Sequence, residues 1–317
     1  MVGKLTDDKQ MSASRLPALF GASPYNTKNE ELKYSLDAIA GTLQALEQNE
    51  FMFWGDRLEP IVAFEAAKVL GLTELQTDIP EAVVHSSLPL QCSLDALGEG
   101  DGRTIKNGDI ENVVVVGADE IALEGIGVLE IKTTNGRPED ELPLHRGPLQ
   151  LQGQLMCTDL KWGAVAVLYG GNQLRVFLFH RHEKTIEAIE REVLDFERRL
   201  HEDPVDWYAI EHELDPITIF PSGELETPVI LNDNIEKLLD SYDLAKQTIQ
   251  DCEGIIKDVT LAVQAHLGNH TEGHTSKHHV KWPMKNFKAK PEKITPAKKA
   301  YSVRQKTINV KKREKAA

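Results

Sequence analysis

Cysteine is scarce in this chain. Its three cysteines among 317 residues, Cys92, Cys157 and Cys252, stand far apart and match neither a disulfide framework nor a metal-binding spacing. A reducing, cytoplasmic setting is the expectation. Long hydrophobic runs are missing as well. The longest, such as residues 113–116 and 163–168, fall far short of the roughly 20 apolar residues a membrane-spanning helix needs. The first residues lack the charged-then-apolar pattern of a signal peptide, so no membrane partner is expected. Glycine (22) and proline (15) are too few for a collagen-like or mucin-like chain.

What is present is enough apolar material for a proper core. Hydrophobic residues make up 41% and charged residues 27%, which excludes a wholly disordered chain. The length allows two average domains or one large one. The net charge of -14 argues at first against a polyanionic partner, but the average hides a division. Residues 271–317 hold 14 Lys or Arg against 3 Glu, a charge of +11. The preceding 270 residues hold 22 basic against 47 acidic residues, a charge of -25. An acidic body with a basic tail differs physically from a uniformly acidic protein.

Periodicity divides the chain further. A short helix is predicted over residues 14–19, a turn over 21–26 (GASPYN), and helices over 30–46 and 52–70. Leu58, Ile61, Val62, Phe64, Val69 and Leu70 follow a 3.6-residue period, and Gly71 is a natural stop. Short apolar runs at 83–85, 90–94, 113–116, 127–133, 162–168 and 174–179 read as strands. A proline-initiated helix at 148–159 crosses between them, and Gly170-Gly171 marks a hairpin turn. A charged amphipathic helix follows at 183–201. The order predicts an α/β or α+β core with a mixed sheet flanked by helices. Residues 203–229 form a proline-rich connector. Residues 230–267 form a long helix whose stripe, from Ile235 to Val263, implies a packing partner. Residues 268–317 form a basic tail, in which 301–310 alternate weakly enough for an edge hairpin.

The sharpest chemical feature is Leu129-Glu130-Ile131-Lys132-Thr133. In a strand, residues two apart share a face, so Glu130 and Lys132 project together while Leu129 and Ile131 enter the core. A carboxylate can hold Mg²⁺, and a neighbouring lysine can orient a water or neutralise a phosphate. An isolated E-x-K is more commonly a surface ion pair of little worth. Asp95 in Ser93-Leu94-Asp95-Ala96 ends an apolar strand, and Glu59 stands before Pro60 inside a helix. Alone, each reads as a turn or solvent-facing carboxylate. Gln150 and Gln154, four apart, share one helix face. An amide is no base, but it can hold a water or a phosphate oxygen.

Together these segments carry a resemblance. GASPYN (21–26), GDRLEP (55–60), SLDA (93–96), LEIKT (129–133) and QLQGQLMC (150–157) occur in one order at sensible spacings. The set resembles the YqaJ-type viral recombinase exonucleases, relatives of the phage lambda exonuclease within the PD-(D/E)xK nuclease superfamily. It covers residues 10–202, and nothing comparable extends over 203–317. The resemblance implies a restriction-endonuclease-like core in which Asp95 and Glu130 are the motif carboxylates and Lys132 is the catalytic lysine. Glu59 would be a helical acid near the metals, and Gln154 the glutamine of the following helix with Gln150 beside it. Asp95, Glu130 and the Ile131 carbonyl, with Glu59, would ligate two Mg²⁺ ions, for which Mn²⁺ substitutes. Ser14, with Arg15, would hold a terminal 5′-phosphate, and Tyr25 would be structural or face DNA.

The implied activity is 5′-to-3′ degradation of one strand of linear duplex DNA, leaving 3′ single-stranded overhangs for strand annealing. The implied partners are double-stranded DNA ends, a toroidal homo-oligomer with a trimer favoured, and a phage single-strand annealing protein. The host cytoplasm would be the location. The other readings are an inactive DNA-binding or scaffold protein of recombination, and a related endonuclease or repair nuclease. The sequence departs from the family in one place. Asp95 and Glu130 are 35 residues apart, so residues 98–126 read as an insertion between the two ligand strands. The basic tail reads as a DNA-phosphate contact, a solubilising extension or a docking segment for another subunit. His266, His270, His274, His278 and His279 would suit a metal only on a continuous helix, against which Gly268 and Gly273 argue.

Overall fold

The computed structural model of the chain describes residues 5–44, 48–223 and 228–284. It divides into two units, Met1–Pro221 and Ser222–Ala317.

The first unit opens with a short strand β1 (Met11–Ser12), a 3-10 turn Ala13–Arg15 and helix α1 (Leu16–Leu19). Helix α2 (Lys28–Ala40) is fixed at both ends. Thr27 and Glu30 form a reciprocal capping box, and Gly41 closes it in the left-handed conformation. The sequence predicted this helix to 46; it ends at Ala40, and residues 45–47 lie outside the described residues. Helix α3 (Glu50–Leu70) starts on an Asn49 cap, tolerates Pro60 and stops at Gly71. Strands β2 (Glu74–Thr77), β3 (Val83–Val84), β4 (Leu90–Cys92), β5 (Ala96–Lys106), β6 (Val113–Val116) and β7 (Glu120–Thr134) follow. Helix α4 (Pro148–Thr158), strands β8 (Trp162–Tyr169) and β9 (Gln173–His180), and helices α5 (Glu183–Leu200) and α6 (Asp215–Ile219) complete the unit.

Six strands form one mixed sheet in the order β2-β5-β7-β8-β9-β6. β7 pairs antiparallel with β5 and parallel with β8, so it is a central strand. A small sheet, β1-β4-β3, lies beside it in the fold order. The expected mixed sheet flanked by helices is what the chain forms, consistent with a restriction-endonuclease-like core. Residues 98–126 hold most of β5, all of β6 and the first half of β7.

Both faces of the sheet are covered, and the alternation along β7 decides which side chain goes where. Leu129 and Ile131 join Val62, Ala63 and Ala66 of α3 in one core. Val128 joins Leu151 and Leu155 of α4 and Ile189, Val193 and Phe196 of α5 in the other. Glu130 and Lys132 therefore face the α4 side. Two glycines allow α4 to sit there. Gly147, at φ +117, lies where a Cβ would strike Val165 at 2.7 Å. A Cβ on Gly153 would strike Leu16 at 2.5 Å and Ala13 at 3.0 Å, so α4 and the 3-10 turn approach closely only with glycine there.

Part of the predicted connector also belongs to this unit. Val205, Trp207 and Tyr208 pack on the core. Asp215 accepts a hydrogen bond from the Thr27 hydroxyl at 2.7 Å and from the Glu211 and His212 backbone N–H groups.

The second unit, by itself, holds helix α7 (Asp233–Leu267) and a hairpin of β10 (Glu272–His274) and β11 (His279–Lys281). The hairpin breaks the helical His spacing, and no His, Cys, Asp or Glu metal cluster forms among the described residues. The edge hairpin expected at 301–310 and the tail beyond 284 lie outside the described residues. Among the described residues, no helix is long and apolar enough to cross a membrane.

Candidate active site

The candidate site forms where β7 runs past the start of β5. The antiparallel register sets Ala96 opposite Leu129, so Asp95, in the bend just before β5, falls beside Glu130. The Ile131 N–H has no β5 residue to pair with. It donates to Asp95 Oδ2 at 2.7 Å instead. The 35-residue separation in sequence is thus closed by pairing of the long strands β5 and β7.

Glu130 is fully buried. Both carboxylate oxygens are engaged: Oε1 accepts from the Lys132 ammonium, and Oε2 accepts from Gln154 Nε2 at 2.6 Å. Lys132 also donates to Gln150 Oε1 at 3.1 Å. Gln154, also fully buried, donates from the same nitrogen to the Ser93 carbonyl at 3.0 Å. Both neighbours of that nitrogen are acceptors only, which fixes the amide orientation. It leaves Gln154 Oε1 buried with no hydrogen-bond partner among the described residues. An unpaired buried acceptor costs about 1–3 kcal/mol.

The electrostatics follow from this crowding. Burial raises the Asp95 pKa well above the ordinary carboxylate range, and the Glu130 charge adds to it. Burial also raises Glu59, with further contributions from Glu130 and Asp56. Burial works against the Lys132 ammonium, yet Glu130, Asp95 and Glu59 outweigh it, and its pKa is raised. Glu59, on α3, therefore shares the electrostatic field of the pair on β7. The site is a concentration of negative charge held in place by one lysine and one amide.

Among the described residues, no three His, Cys, Asp or Glu side chains are gathered tightly enough to make a metal cluster. Lys132, Gln154 and the Ile131 N–H donate to oxygens of Glu130 and Asp95. The donor chemistry nevertheless suits a hard divalent cation. The groups are all oxygens, and the raised carboxylate pKa values report negative charge that a cation would offset.

Gln150 and Gln154 converge on the site. Ser14 is exposed on the 3-10 turn that packs against α4 at Gly153; its hydroxyl lies 3.1 Å from that of Ser12. Arg15 goes elsewhere. Its guanidinium pairs with Glu31 at 2.5 Å, donates to Ser35 Oγ at 2.9 Å and to the Gln10 carbonyl at 3.1 Å, and stacks on Tyr34. The side chain is 9% exposed, so its nitrogens serve the fold rather than a phosphate. Tyr25 is exposed and meets His145 edge-on at 6.5 Å.

Two supports were not anticipated. Gln152, between the two site glutamines, donates to the His180 carbonyl at 2.7 Å and accepts from His182 N at 2.9 Å. It pins α4 to the end of β9. The Ser93 carbonyl anchors Gln154. A backbone carbonyl has no sequence signal, and Gln152 is indistinguishable in type from its neighbours.

Residues 7–161 match the YqaJ-like viral recombinase domain. That homology supports a relation to the PD-(D/E)xK nuclease superfamily and nuclease-type chemistry on DNA. No curated protein matches the chain. Among solved structures, an alkaline exonuclease from Laribacter hongkongensis is 19% identical, with a TM-score of 0.44 over 61% of this chain and 89% of that one. A phage related exonuclease from Haemophilus somnus is 12% identical, with a TM-score of 0.37 over 60% of this chain and 92% of that one.

Proposed function

We propose that the chain is a Mg²⁺-dependent exonuclease that degrades one strand of linear duplex DNA from its 5′ end and leaves a 3′ single-stranded overhang. The observation that carries this reading is the meeting of Asp95, Glu130, Lys132 and Gln154 at one point, with Glu59 in the same field.

In this reading Asp95, Glu130 and the Ile131 carbonyl, with Glu59, hold divalent cations. Bound there, the cations would polarise the scissile phosphate, lower the pKa of water and neutralise charge on the leaving oxygen; Mn²⁺ would substitute. The chain's own residues do the positioning. Lys132, kept protonated by its carboxylate neighbours, supplies positive charge beside the attacked phosphate rather than acting as a free base. Gln154 Oε1, the unpaired acceptor, orients a donor such as the attacking water. Gln150 holds Lys132 in place. The exposed Ser14 hydroxyl binds the terminal 5′-phosphate. Arg15 supports it indirectly by fixing the turn to α2.

The match to the recombinase domain supports the remaining parts of the reading. These are a toroidal homo-oligomer, a trimer for preference, that encircles duplex DNA, and a phage annealing protein that takes up the overhang. The test is digestion of linear and closed circular duplexes in Mg²⁺, with and without a 5′-phosphate. Loss of linear duplex with circles intact, faster with the phosphate, is expected. Cleavage of circles at a similar rate would replace the reading with an endonuclease. Binding of ends with no hydrolysis in Mg²⁺ or Mn²⁺ would replace it with a DNA-binding scaffold.

A further inference from the structure

Helix α7 spans 35 residues, Asp233–Leu267, and none of them is buried. That is about 52 Å of helix. Leu238 and Ile256 are 65% and 64% exposed. A helix polar all round could stand alone in water; this one is not polar all round.

A seven-residue repeat runs through its apolar residues, with Leu244, Ile255 and Leu261 lying outside it. Every seventh position from 235 is apolar or aromatic: Ile235, Tyr242, Ile249, Ile256 and Val263. Three residues after each come Leu238, Ala245, Cys252, Val259 and His266. These are the a and d positions of five consecutive heptads. A 3.5-residue period sustained this long belongs to a two-helix seam rather than to a face packed on a globular core.

The sizes of the side chains fix the direction of pairing. In a parallel, in-register pair each residue meets itself, so Tyr242 would face Tyr242 and Ala245 would face Ala245. Crowded and hollow layers would then alternate, and both cost stability. In an antiparallel pair centred between Ile249 and Cys252, each large a residue meets a different d residue. Ile249 then packs on Cys252, Ile256 on Ala245, Tyr242 on Val259, Val263 on Leu238 and Ile235 on His266. All five heptads are used in that single register.

Charge points the same way. Lys246 and Glu253 are the only charged residues at the e and g positions that flank the seam. In a parallel pair, g meets e, so Lys246 would meet Ser241 and Glu253 would meet Thr248. In the antiparallel pair, e meets e, and Lys246 of each helix meets Glu253 of the other on both sides of the centre. Ten core positions along about 52 Å are of the order needed to bury the roughly 800 Å² per partner of a stable interface.

We propose that α7 is a self-association element through which two copies of this chain pair as an antiparallel two-stranded coiled coil. It acts independently of the nuclease reading, and it would join two chains, or two rings, whatever the catalytic core does. The experiment is sedimentation equilibrium of the full-length protein and three variants. Ile249→Glu is expected to halve the assembly mass. Lys246→Glu, an exposed change that leaves the helix intact, places Glu against Glu on both sides of the centre and is expected to weaken association about tenfold at low salt. Lys246→Glu combined with Glu253→Lys is expected to restore it. An unchanged mass for Ile249→Glu, or equal behaviour of the single and double charge variants, would overturn the proposal. So would a Cys252–Cys252 disulfide between chains on mild oxidation of the unaltered protein, which reports a parallel pair.

Discussion

Glu130 lies wholly inside the first unit, whereas Leu238 and Ile256 of the second unit face water. A carboxylate is the kind of side chain that folding leaves outside, and isoleucine the kind it takes in. The two regions therefore depart from the usual partition in opposite senses. In the first unit a charge is kept in a dry place by partners that leave one acceptor, Gln154 Oε1, unpaired. In the second an apolar seam is left unburied among the described residues. Each departure costs free energy in the isolated chain; in the proposed readings a cation and phosphate would offset the first, and a second copy of the helix the other. Not every buried charge has this meaning. Arg15 and Glu31, 9% and 7% exposed, answer one another fully, and their contacts end inside the fold.

The largest expected effects separate those two kinds of buried charge by activity. Glu130→Gln and Lys132→Ala should each lower the nuclease rate by more than about 10³-fold while the protein stays folded, as read by circular dichroism. Activity within tenfold of the unaltered protein would remove both residues from the site. Arg15→Ala is the counterpart. It leaves Glu31 buried without its cation and strips a guanidinium from the Tyr34 ring. Breaking such a pair costs about 3–5 kcal/mol, or a fall in melting temperature of roughly 6–20 °C for a unit of this size. Calorimetry would show it. A shift under about 2 °C would mean that Arg15 is not structural.

The contrast also explains what could be read from the sequence. The end of α3 was legible because Gly71 is a local stop, whereas the Thr27 cap and the Gly41 stop of α2 were passed over and that helix was predicted to run on to residue 46. β7 was legible in its second half, where Leu129 and Ile131 alternate with Glu130 and Lys132. Strands β2 and β5 were not. Glu74–Thr77 and the glycine-rich Ala96–Lys106 have little strand propensity, and they are held by pairing with distant residues. The carboxylates and glutamines of the site could be named from motif order, and the fold brings Asp95, Glu130, Lys132, Gln150 and Gln154 together. Their burial could not be read: Gln150 and Gln154 resemble a solvent-facing pair until Gly147 and Gly153 let α4 close onto the sheet. The pairing of Arg15 with Glu31 could not be read either, because Glu31 lies on another helix.

A smaller effect tests whether the acidity of the site is a burden on the fold. The Asp95 pKa is raised by burial and by Glu130, so the native state holds its proton more tightly than the unfolded chain. The stability associated with that proton is complete below the unfolded value, near 4, and is lost as pH rises through the raised native value. At neutral pH, without divalent cations, Asp95 is therefore a net cost. Asp95→Asn keeps an oxygen for the Ile131 N–H and removes the charge. It should stabilise the protein by on the order of 1 kcal/mol at pH 7.5, with the gain shrinking as pH falls toward 4, while nuclease activity is lost. Thermal melts across pH in chelator would follow it. A variant less stable than the parent at pH 7.5 would show that Asp95 is a structural acceptor first.

The smallest expected effect belongs to Ser14, the exposed member of the proposed set. Among the described residues its hydroxyl has Ser12 as its close partner, so Ser14→Ala should leave the melting temperature within about 1 °C, as surface substitutions do. One lost hydrogen bond to a charged phosphate is worth about 1.5–3 kcal/mol. The variant should therefore digest 5′-phosphorylated ends roughly 10-fold more slowly or worse, and 5′-hydroxyl ends no more slowly than the unaltered protein. The comparison of the two ends carries the argument. A general defect would slow both, whereas a phosphate ligand slows one. Equal slowing of both ends would move the terminal phosphate elsewhere, and with Arg15 bound to Glu31 the search would turn to the described cations that border α4.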